Sequence, residues 1–378
     1  MIHGMHVAPL APECRMTVVL PARNEEAHIA RALHALAEQP ARELFDAIVF
    51  ANGCTDATAA VARAFGLRHP ELSLHVVEET LPAGLDHVGA ARRIVMDCAA
   101  QRFVDADRPG IVATTDADTV VGIDWVARTF EEMEAADAVA GFVEIGPAER
   151  AALPPAVRAL YALENEFRAA WTEVETMLDP QAADPLPRHR SFVGASFAVS
   201  VDAYVRAGRL PPLPVLEDRE FVRALRRIDA RIRHSLRVRA FTSGRRAARV
   251  AGGFGTLVAH LHRQGLSGAP FLVEHPREIV DESAGRAALR RIWEGARTRA
   301  DQTLVSDIFG LAPDDWLPLV DPARALGETV ERVRERSGPH RRSYEMVPVE
   351  EAIAALREFA ASRKAPSATR SSAASGAG

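Results

Sequence analysis

With 378 residues, 48% of them hydrophobic and 26% charged, the chain has the make-up of an ordinary globular protein, either two domains or one large α/β domain with an appendage, and is neither disordered nor collagen-like. A net charge of -5 argues against a general nucleic-acid binder. Lys364 is the single lysine among 46 basic residues, which disfavours chemistries that need a lysine in the site: phosphate-loop nucleotide hydrolysis, imine formation and most dehalogenase-type phosphate release.

From Met16 onward short β-rich runs alternate with longer amphipathic stretches. Residues 16–20 (MTVVL) predict a buried strand, and 24–38 a helix with Ile29, Leu33 and Leu36 on one face. A strand over 45–50, a helix over 55–65 opened by Thr55 and Asp56, a strand over 72–77, a helix over 87–100 and a strand over 111–115 follow. This β-α-β spacing predicts a mainly parallel sheet covered by helices, with ligands at the carboxyl ends of its strands. Next come a helix over 124–134, a strand over 138–145, a long helix over 149–176, a small apolar strand over 191–201, a helix over 217–228 and a strand over 232–241. The remainder to residue 363 predicts helices broken by Pro and Gly, and 364–378 a disordered, low-complexity tail.

Cys14, Cys54 and Cys98 are too few and too scattered for a disulfide framework or a Cys-rich zinc site, which fits a reducing cytoplasm. No apolar run approaches the roughly 18 residues a membrane helix needs. The start MIHGMHVAPLAPECR lacks the charged-then-apolar plan of a signal peptide. A cytoplasmic protein without a transmembrane segment is expected, with peripheral membrane contact left open.

The polar clusters fall at strand ends. Asp116-Ala117-Asp118 follows the strand over 111–115, so its two carboxylates share a face and suit a hard divalent ion such as Mg²⁺ or Mn²⁺ that also takes phosphate oxygens. On spacing alone, an acidic loop capping the next helix fits equally well. The run Asp116 to Val121 also fits the D-x-D-x-T-V pattern of dehalogenase-type phosphatases, but three strands precede its own and the expected downstream lysine is missing. Pro21-Ala22-Arg23-Asn24-Glu25-Glu26 follows the first strand, Asn52-Gly53-Cys54-Thr55-Asp56-Ala57-Thr58 the second, and Gly89-Ala90-Ala91-Arg92 opens the third helix. Glu217-Asp218 comes about a hundred residues after the D-x-D.

Taken together and in this order, these five elements resemble the family 2 glycosyltransferases of GT-A fold, over about residues 16–255. The resemblance implies a GT-A, Rossmann-like α/β domain at 16–255, preceded by an N-terminal arm at 1–15 and followed by a C-terminal helical region at 256–363 that carries no placeable motif. It also implies a metal-dependent, inverting transfer of a sugar from a nucleotide diphosphate, UDP first, to a small or lipid-linked hydroxyl acceptor. Pro21, Arg23, Glu25 and Asn52 would then lie at the nucleotide end, with Arg92 near the base or diphosphate. Asn52 stands where the family usually has Asp, which leaves guanosine or thymidine as alternatives to uridine. Asp116 would contact the ribose and the metal, Asp118 the metal directly, and Asp218 would be the general base. Gly194-Ala195-Ser196 and Glu217 would line the acceptor pocket.

Between Glu217 and Arg249 eleven arginines face four acids, so this stretch carries +7 while the rest of the chain totals -12. Arg245, Arg246 and Arg249 would close over the diphosphate, with Gly252, Gly253 and Gly255 as hinges. The other histidines read as surface or core residues, with His260 or His262 as outside candidates for a third metal ligand. Three competing readings are a nucleotidyltransferase, a dehalogenase-type phosphatase using Asp116 and Asp118, and a non-catalytic nucleotide-sugar-binding protein. The sequence carries no signal for an oligomeric state.

Overall fold

A computed structural model describes residues 7–243, 254–338 and 343–364. Its first half alternates β1 (Met16–Ala22), α1 (Ile29–Ala37), β2 (Phe45–Asn52), α2 (Thr58–Arg68), β3 (Leu74–Glu79), α3 (Val88–Asp105) and β4 (Ile111–Thr115). Next come β5 (Val120–Val121), α4 (Trp125–Met133), β6 (Ala138–Ile145), α5 (Pro147–Ala151), α6 (Pro155–Leu178), β7 (Ser196–Ser200), α7 (Val201–Arg206), α8 (Glu217–Arg226) and β8 (Ile232–Thr242). The described C-terminal part comprises α9 (Phe254–Ser267), β9 (Leu272–Val273), α10 (Pro276–Trp293), α11 (Arg299–Phe309), α12 (Pro313–Trp316), α13 (Leu326–Ser337), β10 (Val347–Pro348) and α14 (Val349–Lys364).

β1 to β8 form one sheet in the order β3-β2-β1-β4-β7-β6-β8-β5. The expected α/β class, a mainly parallel sheet flanked by helices with a helical C-terminal region, is what the chain builds. β3, β2, β1 and β4 run parallel, as do β6 and β8, whereas β7 pairs antiparallel with both β4 and β6, and β5 with β8. β1 and β2 are buried on both faces, which is why they read as unbroken apolar runs. Alternation still sorts their side chains. Val19, Ile48 and Phe50 pack against Val95, Met96, Ala99 and Phe103 of α3. Val18, Leu20, Ala47 and Val49 face Ile29, Leu33 and Leu36 of α1, with Phe65 and Trp125.

Several boundaries differ from the sequence expectation for local reasons. α1 starts at Ile29, not at residue 24, because Asn24 takes a left-handed conformation (φ 55°) and the next two backbone N–H groups donate to Thr58 Oγ1 and Asp56 Oδ2. The long helix expected over 149–176 breaks into α5 and α6 at Pro154-Pro155, where two successive residues lack an N–H. The strand expected over 191–201 shortens to β7, its first half forming the approach to the site. The short β5 and α7 have no counterpart in the sequence reading.

The C-terminal helices share an apolar core with α6: Val157, Tyr161, Phe167 and Val174 pack with Val258, Leu261, Ile279, Ile353 and Leu356. α10, α11 and α13 build a second cluster around Trp316 and Val333. Asp229, at the end of α8, accepts from the Leu326 and Gly327 N–H groups and so caps α13. Among the described residues no helix is long and apolar enough to cross a membrane.

Candidate active site

The strand order reverses between β1 and β4, whose crossovers lead to opposite sides of the sheet, and an α/β sheet opens a crevice at the carboxyl ends of such a pair. β1 delivers Pro21 and Arg23 to that crevice, and β4 delivers Asp116 and Asp118.

The two nucleotide-end turns are tied to each other. Asn24 Oδ1 accepts from the Thr55 N–H at 2.8 Å, Thr58 Oγ1 from the Glu25 N–H at 2.7 Å, and Glu26 from the Ala57 N–H at 2.9 Å. Asp56 accepts from the Thr58 hydroxyl and from the Thr58 and Glu26 N–H groups, which holds its carboxyl below the usual range; the helix expected from Thr55 starts at Thr58 with Ala57 at its N-cap, so Asp56 lies just ahead of it and not in its first turn. Asn24 and Thr58 were quoted in motifs but given no role by sequence reasoning; their partners lie about thirty residues away, and only the fold pairs them. Glu25 is buried. Asn52 is buried too, and its Oδ1 accepts from the Leu81 N–H at 3.0 Å, fastening the second turn to the segment after β3. Arg23 is exposed and donates to the Asp86 carbonyl at 2.6 Å, with the Asp86 carboxylate at 3.6 Å.

Arg92 joins the acidic motifs. It is 2% exposed, and its Nη2 lies 2.5 Å from Asp116 Oδ1 while its Nη1 lies 2.9 Å from Glu217 Oε1. Two glycines make room for this. A Cβ on Gly89 would lie 1.8 Å from the Leu213 carbonyl oxygen, and one on Gly194 would lie 2.3 Å from Arg92 Nη1. Burial pushes the Asp116 carboxyl up, helped by the charges of Asp118 and Asp218 and opposed by Arg92. Burial likewise raises the Glu217 carboxyl, with Arg92 opposing and Asp218 adding to the rise.

Asp218 lies in the first turn of α8. Its Oδ2 accepts from the Gly194 N–H at 2.9 Å and its Oδ1 from the Arg219 N–H at 2.7 Å. The β4–β7 register pairs Thr115 with Ser196, which brings Gly194 and Ala195 beside Asp116. Ser196 itself is fully buried, and its hydroxyl accepts from the Trp125 indole at 2.9 Å. Asp118 accepts from the Ser243 hydroxyl at 3.0 Å, a partner that sequence reasoning did not assign. Arg245, Arg246 and Arg249, with Gly252 and Gly253, lie outside the described residues.

Asp116 and Asp118 suit a hard divalent ion: both are oxygen donors, and three carboxylates crowd one buried arginine, a surplus of negative charge that burial makes costly. Among the described residues no group of three or more His, Cys, Asp or Glu side chains is arranged to hold a metal, so His260 and His262 are not gathered with these two. Two protein carboxylates with the rest of the shell from phosphate and water is how Mg²⁺ and similar ions are commonly held.

Residues 17–196 match the family model described as Glycosyl transferase family 2. The 4,4'-diaponeurosporenoate glycosyltransferase of Staphylococcus aureus is 36% identical over 94 residues, which is 24% of this chain and 24% of that protein. The chain therefore aligns with about a quarter of the length of the curated relatives it matches. Among solved structures, the mannosyltransferase PcManGT from Pyrobaculum calidifontis, in complex with GDP-Man and Mn²⁺, is 17% identical, covers 95% of this chain and 90% of its own, and has a TM-score of 0.45. TarS of S. aureus in complex with UDP-GlcNAc is 15% identical, with 85% and 90% covered and a TM-score of 0.47.

Proposed function

Residues 17–196 belong to glycosyl transferase family 2, and on that premise we propose that the protein is a metal-dependent, inverting glycosyltransferase acting on a nucleotide diphosphate sugar, UDP-linked first, and a hydroxyl acceptor. The observation that carries this reading is the meeting of Asp116, Arg92, Glu217, Gly194 and Asp218 at one end of the sheet, although 125 residues separate Arg92 from its partner Glu217. The three free cysteines suit a reducing compartment such as the cytoplasm.

In this reading Pro21, Arg23, Glu25 and Asn52 border the nucleotide, and Asp116 and Asp118 would hold Mg²⁺ or Mn²⁺. When bound, the ion supplies charge to the diphosphate oxygens. Of the two acids that open α8, Glu217 is occupied by the buried Arg92, which leaves Asp218 to serve as base. Its carboxylate is oriented by two backbone N–H groups and retains lone pairs for an acceptor hydroxyl. As the acceptor oxygen bonds to the anomeric carbon, the bond from that carbon to the diphosphate breaks with its electron pair leaving on the diphosphate, and the hydroxyl proton passes to Asp218. Attack from the face opposite the leaving group inverts the anomeric centre. The acceptor would rest against Gly194 and Ala195, where small side chains leave space.

Asp218→Ala should lower turnover of nucleotide sugar by about 10²–10⁴-fold while leaving nucleotide diphosphate binding intact. Asp118→Ala should abolish the metal dependence of that binding, read as a thermal shift with and without Mn²⁺. Full activity in both proteins would refute the proposal.

A further inference from the structure

The loop that joins α7 to α8 is apolar where it meets water. Five successive residues, Pro212, Leu213, Pro214, Val215 and Leu216, are all exposed. Leu213, Val215 and Leu216 are three of the twelve large apolar side chains exposed among the described residues, and the other nine lie singly along the chain. Single exposed apolar residues are ordinary, but a continuous run is unfavourable unless something covers it in use. The loop is also pinned. Leu210 ahead of it is fully buried, and its carbonyl accepts from Arg93 Nη1 at 2.6 Å. The Leu213 carbonyl oxygen sits so close to Gly89 of α3 that a Cβ there would lie 1.8 Å away, and Glu217 beyond the loop is tied to Arg92. Pro211, Pro212 and Pro214 restrict the backbone between these anchors. The exposed side chains therefore stand on a fixed frame, which lowers the ordering cost of taking up a ligand.

Leu216 breaks two local rules at once. Its backbone is left-handed (φ 58°), a conformation that suits Gly or Asn, and it occupies the N-cap of α8 without a side chain that can accept from the helix N–H groups. Asn would meet both demands. Backbone strain of this kind collects where a ligand is held, and local rules are broken at functional positions.

The position of the loop decides what covers it. Leu216 stands two residues before Asp218 and Val215 three, separations that the chain spans with at most about 7 Å and about 11 Å. A molecule whose hydroxyl reaches Asp218 therefore comes within contact range of these side chains. A sugar with hydroxyls all round would lose hydration against Leu and Val, whereas an alkyl body gains by leaving water there. We propose that Leu213, Val215 and Leu216 form an apolar rim of the acceptor site, and that the acceptor is an alcohol with an alkyl body, bound as a single molecule with its hydroxyl at Asp218 and its body along the loop. The rim stands on the exposed run alone; its assignment to the acceptor rests on the transferase reading.

Calorimetric titration of 1-butanol and 1-octanol into the full chain tests the rim. Each buried methylene is worth about fourfold in affinity, so 1-octanol should bind at least about tenfold tighter than 1-butanol. In the double variant Val215→Ser/Leu216→Asn the two alcohols should come within about threefold of each other, with nucleotide diphosphate binding at its wild-type value; Leu67→Ser on α2 should change neither. Asn suits the left-handed backbone, so the double variant should melt no lower than wild type, which separates lost binding from lost folding. Equal affinity for the two alcohols in wild type would overturn the proposal. So would tight 1-octanol binding in the double variant, which would put the alkyl chain elsewhere, as in the cavity of about 550 Å³ that Val280, Leu356 and Phe359 line between α10 and α14. Flotation with phosphatidylcholine vesicles that the double variant loses would make the loop a membrane contact, and a dimer in sedimentation that the double variant splits would make it a subunit contact; either result overturns the proposal. Sugar transfer to 1-octanol should exceed transfer to 1-butanol in kcat/KM, and the reverse order would remove the rim from the acceptor site. A protein that binds 1-octanol through the rim but turns over no nucleotide sugar would keep the rim and fail the transferase reading instead.

Discussion

Arg92 is where the two acidic motifs meet, and its environment sets what can be asked of it. With both Nη atoms engaged by Asp116 and Glu217 and almost no exposure, it acts as a strut between β4 and α8. Removing it strands two carboxylates, and breaking a buried pair in this way costs about 3–5 kcal/mol. Arg92→Ala should therefore lower the denaturation free energy by about that much, measured by urea unfolding. Arg92→Lys, whose compact ammonium cannot fork to both acids, should recover only part of it. A wild-type midpoint for Arg92→Ala would show that the strut carries no load. The need for an arginine and a glycine in the G-A-A-R run was legible in the sequence, but the partners were not. Glu217 lies 125 residues further on, and no local pattern encodes a contact at that separation.

At the scale of elements, the approach to β7 is the most informative segment. His189 is buried, with its Nδ1 accepting from the Ser191 N–H at 3.2 Å and its Nε2 3.1 Å from the Ala140 carbonyl, an arrangement that only the neutral Nε2–H tautomer satisfies. Burial, aided by the charge of His234, pushes this imidazole down to about 3. An unfolded histidine titrates near 6.5, so between about pH 3 and pH 6.5 the unfolded chain binds the extra proton and stability falls as pH falls. Replacing it with Gln should remove that part of the slope: the stability difference between wild type and His189→Gln, from urea midpoints, should be larger at pH 7.5 than at pH 4.5. Equal differences at the two values would rule out a titrating His189. Sequence periodicity placed a strand here but made it too long, because residues 191–195 are small and apolar like a strand. They instead form the approach to the site, and Gly194 turns its N–H to Asp218.

For the whole molecule, α6 links the two halves of the chain. Its apolar side is covered by α9, α10 and α14, and its acids Glu175 and Asp179 are bound by Arg286 and Arg290 of α10. Sequence reading set a boundary near residue 255 because the motifs stop there. A chain ending at residue 255 would leave Val157, Tyr161, Phe167 and Val174 without cover, and each large apolar side chain loses about 1.5–3 kcal/mol when its burial is lost. Such a truncation should aggregate or melt well below the full chain in a thermal scan; a wild-type melting temperature would establish 16–255 as an independent unit.

The sequence by itself determined the α/β class, the order of the main strands and the polar clusters at their ends. Those features follow from periodicity, turn residues and motif spacing, all of which act over a few residues. It also put Asp116 and Asp118 just beyond a strand end and Asp218 at a helix start, since both kinds of boundary are visible locally. Only the tertiary structure decided that Arg92 bridges Asp116 and Glu217, and that Gly194 and not Ser196 meets Asp218. The reason is physical: charge pairing and burial depend on which distant surfaces the sheet order brings together, and that order is an outcome of packing the entire chain.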